Sequence, residues 1–271
     1  MLKTERMDRV RAALRAQGLT QMIVCDPKSV WYLTGVAVEP YERLLALYLP
    51  TEGEPVLFLN RLFNVPEPPC RTVWHTDTDK PVAQIAEVVD AGKPLGIDKE
   101  WPAKFLIPLM ETHPGMQVVL SSDCVDNCRA CKDAEEQALM REASRINDAV
   151  NETAKHYIKA GMTEREVAEF IDAQFRAHGC EGPSFTTIVS FGANAADPHH
   201  EPDDTVLKEG DCVLFDMGCV KSRYCSDMTR TVALGKVSEK QRQIYDIVLK
   251  ANEIGIAAAQ AGVICEEVDR A

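Results

Sequence analysis

Asp216 and Asp227 lie eleven positions apart in the stretch LFDMGCVKSRYCSDMTRTV, residues 214–232, inside segments otherwise built like strands. Strands disfavour Asp, so two of them ask for a reason. Taking Val213 to Val220 as one strand, Lys221-Ser222 as the turn and Arg223 to Val232 as its antiparallel partner, Asp216 faces Asp227. Opposed side chains have Cβ atoms roughly 4.5–5.5 Å apart. Carboxylates that close repel, so one takes a proton or a cation sits between them. Two hard oxygen donors on rigid strands suit Mn, Mg or Co, and Zn less exclusively. The other reading is a half-buried hairpin with both aspartates on its wet face and Val213, Phe215, Met217 and Met228 on its dry face. Lys-Ser is poor chemistry for a two-residue turn, and Gly218 is a candidate for a register-shifting bulge.

A second cluster lies upstream in FGANAADPHHEP, residues 191–202. Gly192 and Pro198 mark a loop after a strand. His199 and His200 are adjacent and point apart on an extended chain, so one can face a site and the other solvent. A neutral histidine in a cleft binds a metal or bonds to substrate. The alternative is a pair of surface loop histidines. Cys124, Cys128 and Cys131 have a C-x3-C-x2-C spacing that iron–sulfur enzymes cleaving S-adenosylmethionine also use. They fall at a domain junction with no Gly-rich partner motif, so ordinary reduced thiols are expected. Cys225 would lie on the aspartate face and is expected to pack there.

The elements that must position these residues form two groups. An amphipathic helix on Arg9, Val10, Ala13 and Leu14 precedes a strand at Met22–Cys25. Leu44–Leu49 and Pro55–Leu59 read as a hairpin around Thr51–Glu54. Helices are expected over Val82–Val89 and Ala103–Glu111, and strands at Leu95–Asp98 and Val118–Leu120. From Asp133 the pattern changes to a long helix with Leu139, Ala143, Ile146, Val150, Ala154 and Tyr157 at helical spacing. Thr163 with Glu166, and Ser238 with Gln241, read as capping boxes opening helices that run to Gly179 and Ala259. Phe185–Phe191 is strand-like, and Cys265–Ala271 reads as the first turns of a further helix. The two expected domains are 1–127, α/β, and 128–271.

The balance of 30 basic to 42 acidic residues gives a formal net charge of -12. That argues against nucleic acid or an anionic membrane as the main partner. No apolar run approaches a membrane span, and Met1–Arg6 lacks the apolar core of a signal peptide. Ten cysteines in such a chain are expected as reduced thiols in a cytoplasmic protein.

Taken together, SFGANAADPHHEPDD followed by KEGDCVLFDMGCVKSRYCSDMTRTVALG resembles the pita-bread metallopeptidases, a family of Xaa-Pro aminopeptidases, prolidases, creatinases and methionine aminopeptidases. VWYLTG, residues 30–35, resembles a creatinase-type N-terminal domain, which narrows the likeness to the Xaa-Pro peptidase and creatinase branch. The resemblance implies an α/β creatinase-like domain followed by an α+β pita-bread catalytic domain. It implies two divalent metal ions (Mn, Co or Zn) bound in part by Asp216 and Asp227. It also implies a catalytic His199, substrate binding by His199 and His200, a peptide substrate with proline at the second position, and a homodimer. The family's remaining ligands, one His and two Glu, and a further catalytic His come from later motifs. No His follows His200, and Glu239, Glu253, Glu266 and Glu267 match none of those motifs. The chain is therefore expected to be truncated within the catalytic domain, to hold part of the site and to bind metal weakly. The functions to separate are a proline-directed metalloexopeptidase, a creatinase-like C–N hydrolase or lyase on the same fold, and a non-catalytic truncated form or pseudoenzyme.

Overall fold

The computed structural model describes residues 2–271, which form two compact units meeting between Lys132 and Asp133. The first unit is a mixed sheet flanked by helices. Its helices are α1 (Thr4–Ala16), α2 (Pro27–Thr34), α3 (Pro81–Ala86), α4 (Ala103–Thr112) and α5 (Asp123–Ala130). Its strands are β1 (Gln21–Val24), β2 (Ala46–Pro50), β3 (Val56–Asn60), β4 (Arg71–His75), β5 (Leu95–Ile97) and β6 (Val118–Leu120), in the order β4-β3-β2-β1-β5-β6. The expected hairpin is β2–β3, antiparallel with Leu47 opposite Leu57. VWYLTG belongs to α2: Asp26 caps its N-terminus, accepting from Ser29 N at 2.9 Å, and Gly35 closes it at φ 75°. That left-handed φ is one glycine takes without a Cβ clash.

The second unit sets helices against two small sheets. Its helices are α6 (Ala134–Tyr157), α7 (Glu164–Ala177), α8 (Glu239–Ala258) and α9 (Cys265–Arg270). Its strands are β7 (Gly182–Pro183), β8 (Ile188–Phe191), β9 (Cys212–Met217), β10 (Cys219–Lys221), β11 (Tyr224–Cys225) and β12 (Met228–Ala233). They form the sheets β12-β9-β8 and β11-β10-β7, with every pairing antiparallel. Both expected capping boxes form: Thr163 and Ser238 each accept from the N3 backbone while Glu166 and Gln241 reach back. Such caps contribute about 1 kcal/mol each. One sheet face is dry: Val213, Phe215 and Met217 are completely buried with Ala143 and Val150 of α6 and Val167 and Phe175 of α7. Among the described residues no helix is long and apolar enough to cross a membrane.

The expected hairpin register is corrected. The turn residues are Ser222 and Arg223, not Lys221 and Ser222, and both have positive φ, 50° and 68°. A two-residue hairpin needs that geometry because its twist matches the flanking strands. Lys221 accordingly pairs with Tyr224 and Met217 with Met228. The two long strands are also interrupted, into β9 and β10 on one side and β11 and β12 on the other.

Candidate metal centre

The slip decides where the aspartates stand. Asp216 lies opposite Thr229 on β12 and Ile188 on β8, so it is not opposite Asp227 as expected. Beyond the Met217–Met228 pair the next opposed positions are Gly218 and Asp227. The ladder then resumes, with Ser226 N donating to Cys219 O at 2.9 Å. Asp227 is thus the diagonal neighbour of Asp216. Diagonal positions are roughly 7–8 Å apart, too far for the two short side chains to bond directly, so an ion held by both would have to lie between them. Asp216 is held from both sides by paired strands, whereas Asp227 is exposed and borders an open cleft of about 500 Å³.

The surroundings of Asp216 suit a cation. Its Oδ1 is buried and has no hydrogen-bond partner. Burying an acceptor unpaired costs about 1–3 kcal/mol, and more when it is charged. A divalent ion satisfies such an oxygen, and a two-carboxylate donor set is hard-oxygen chemistry suited to Mn, Mg or Co.

The two histidines have different surroundings. His199 is exposed, its backbone N–H donating to Asp197 Oδ1 at 2.9 Å. The side chain of His200 turns inward, and its Nε2 lies 2.6 Å from Glu164 Oε2. The expected substrate contact from His200 therefore involves a ring nitrogen already committed to Glu164. Among the described residues neither histidine hydrogen-bonds to Asp216 or Asp227. Glu164, His200 and Asp203 place their ligating atoms within 4.8 Å of one another. The Asp203 carboxyl is held below the usual carboxylate range, first by the Thr205 hydroxyl and then by the Thr205 backbone N–H. Among the described residues the cysteine triplet does not bring three sulfurs within ligating distance of one another; Cys124 and Cys128 are buried on α5 and Cys131 is exposed.

Residues 138–271 match the model described as metallopeptidase family M24, and residues 6–131 match the creatinase/prolidase N-terminal domain. An uncharacterized peptidase of Staphylococcus saprophyticus is 33% identical over 273 residues, covering 97% of this chain and 76% of the relative. The chain belongs to metallopeptidase family M24. Within it the chain falls in the Xaa-Pro peptidase and creatinase branch. A prolidase from Thermococcus sibiricus is similar at 30% identity and TM-score 0.90, covering 99% of this chain and 76% of that one. An Xaa-Pro dipeptidase from Bacillus anthracis is similar at 25% identity and TM-score 0.86, covering 98% and 75%. The fold is the one the resemblance implied, a creatinase-type α/β unit followed by a pita-bread catalytic unit.

Two residues of this M24 unit escaped the sequence reading. Glu164 opens α7 yet is fully buried. Asn147, on the buried side of α6, donates from Nδ2 to Met217 O at 2.9 Å and so holds the end of the strand that carries Asp216. Asn147 and Asn151, both buried, are one helical turn apart beside the apolar stripe. That pairing of polar residues on a core-facing helix was the available signal.

Proposed function

We propose that Asp216, Asp227 and His199 contribute to a metal-dependent exopeptidase site that hydrolyses the peptide bond next to proline. The observation that carries the reading is the orphaned, buried Oδ1 of Asp216, with Asp227 at the diagonal position. The prolidase and Xaa-Pro dipeptidase among the similar structures support proline as the neighbour of the scissile bond. Asp216 and Asp227 would hold the divalent metal, Mn or Co in the first instance. When bound, such an ion polarises the scissile carbonyl and acidifies water to a nucleophile near neutral pH. Asp216 supplies a rigid carboxylate, fixed by strands on both sides. The exposed imidazole of His199 can hydrogen-bond to the substrate without displacing a protein partner. A homodimer, which rests on the resemblance alone, and a cytoplasmic location, which rests on reading the cysteines as reduced thiols, complete the proposal.

The test is a panel of Xaa-Pro dipeptides and Xaa-Pro-Xaa tripeptides with Mn or Co added, and creatine alongside. Metal-dependent release of the residue before proline, abolished by Asp227→Asn, supports the reading. Turnover of creatine alone moves the chemistry to C–N hydrolysis on the same fold. No turnover of any substrate sinks catalysis by this chain.

A further inference from the structure

We propose that Glu164 is the positioning residue of the loop that carries His199, acting through His200. The importance of His199 rests on the peptidase reading above. Glu164 is the first residue of α7 and its side chain is fully buried. Its carboxylate accepts four N–H donors. Phe191 N, at 2.7 Å, and Asn194 Nδ2, at 3.0 Å, reach Oε1. His200 Nε2, at 2.6 Å, and Asp203 N, at 3.2 Å, reach Oε2. Two of these donors precede His199 in sequence and two follow it. The backbone closes the same clamp: Glu164 N donates to Thr205 O and Arg165 N to Asp203 O, each at 3.2 Å. One carboxylate thereby ties both ends of the loop to the start of a helix, where the helix dipole favours negative charge.

Donor chemistry fixes the His200 tautomer. Asn194 Nδ2 has two hydrogens and three neighbours, Glu164 Oε1 at 3.0 Å, Thr205 Oγ1 at 3.1 Å and His200 Nε2 at 3.2 Å. The shorter contact between His200 Nε2 and Glu164 Oε2 chooses among them. A carboxylate donates nothing, so the 2.6 Å contact with Glu164 requires the hydrogen on His200 Nε2. The same bookkeeping shows that the protein already satisfies Glu164 without a cation: both its oxygens accept N–H groups, and an ion among Glu164, His200 and Asp203 would have to displace a proton from His200 Nε2. The cluster is an anchor. It commits His200 inward and leaves His199 as the histidine presented to solvent.

The test needs neither metal nor turnover. Long-range 1H–15N spectra of the imidazoles and amide hydrogen exchange are recorded on the 271-residue chain and on Glu164→Gln, which keeps the shape but sets an amide NH2 against N–H donors. In the wild type, His200 should show the Nε2–H form with a downfield, slowly exchanging proton. In Glu164→Gln that resonance should move upfield and the His199 cross-peaks should shift. Exchange at Phe191 and Asp203 should speed up about tenfold or more, while Val213 and Phe215 stay protected. An Nδ1–H form of His200 in the wild type overturns the proposal, and that spectrum decides even where Glu164→Gln does not fold. Wild-type exchange at Phe191 and Asp203 in a folded Glu164→Gln also overturns it. A chain that meets these expectations but cleaves no proline peptide overturns only the peptidase reading.

Discussion

Gly218 and Ser226 meet so closely across the broken ladder that a Cβ built on Gly218 would collide with the Ser226 carbonyl oxygen and with Ser184 Oγ. The contact is locked from the other side, because Ser184 Oγ donates to Ser226 O at 2.8 Å and Ser184 N to Gly218 O at 3.0 Å. This close approach sets the strand spacing two residues from Asp216 and one from Asp227. Gly218→Ala is therefore expected to destabilise the second unit by about 1–3 kcal/mol, the usual cost of overpacking. Urea unfolding followed by circular dichroism measures it. A midpoint equal to wild type would mean that the backbone yields freely there.

Thiol reactivity should sort by burial. Cys131, Cys225 and Cys265 are exposed, whereas Cys25, Cys124, Cys128, Cys180 and Cys219 are buried. Desolvation pushes Cys180 up to about 12 and Cys124 up to about 11. It also pushes half-buried Cys70 up to about 11, and raises Cys25, whose thiol donates to Asp98 Oδ1 at 3.1 Å. The thiolate is the reactive form. An aromatic disulfide reagent at pH 8 should label the three exposed cysteines in a fast phase and Cys70 well after them. Mass mapping that finds Cys25 in the fast phase would contradict the structure.

The helices were legible because their signals are local. Thr163 with Glu166 and Ser238 with Gln241 announce helix starts within four residues, and the structure forms both boxes. The hairpin register was not legible. It is set by positive φ at Ser222 and Arg223, residue types that do not advertise a left-handed turn, and by a backbone contact at Gly218 that no pattern encodes. Asp216 and Asp227 were found by type, yet their relation changed from opposed to diagonal with that slip. Glu164 was missed for a further reason. Its donors lie 27 to 39 residues away in sequence, so its burial is a tertiary fact hidden behind an ordinary acidic first turn.

Acid should loosen the His199 loop. The Asp203 carboxyl is depressed in the folded chain by the Thr205 hydroxyl and backbone N–H, the latter at 2.7 Å. A depressed folded pKa contributes stability above the unfolded value, near 3.9. That contribution is lost as pH falls through the folded value. The loss is thus expected below about pH 4, with none between pH 5 and 8 from this group. Asp203→Asn should lower stability at pH 7 and flatten the acid limb. Urea midpoints at pH 7, 4 and 3 test this, and an acid limb of unchanged slope in the variant would remove Asp203 from the account.

Metal should stabilise the second unit through Asp216. Without metal, the buried Oδ1 of Asp216 is an acceptor lacking a partner. Asp216→Asn replaces it with a neutral oxygen, so in chelator the variant should be as stable as wild type or more so, within about 1 kcal/mol. Manganese should reverse the order. An ion that binds the folded chain alone stabilises it by about 2.7 kcal/mol at a hundred times its Kd. For a unit of this size that raises Tm by about 5–10 °C. Wild type should show the shift and Asp216→Asn should not, with Asp227→Asn falling between or matching it. Calorimetric scans with and without manganese decide the matter. Equal shifts in wild type and Asp216→Asn would place the ion elsewhere and take the metal centre away from β9.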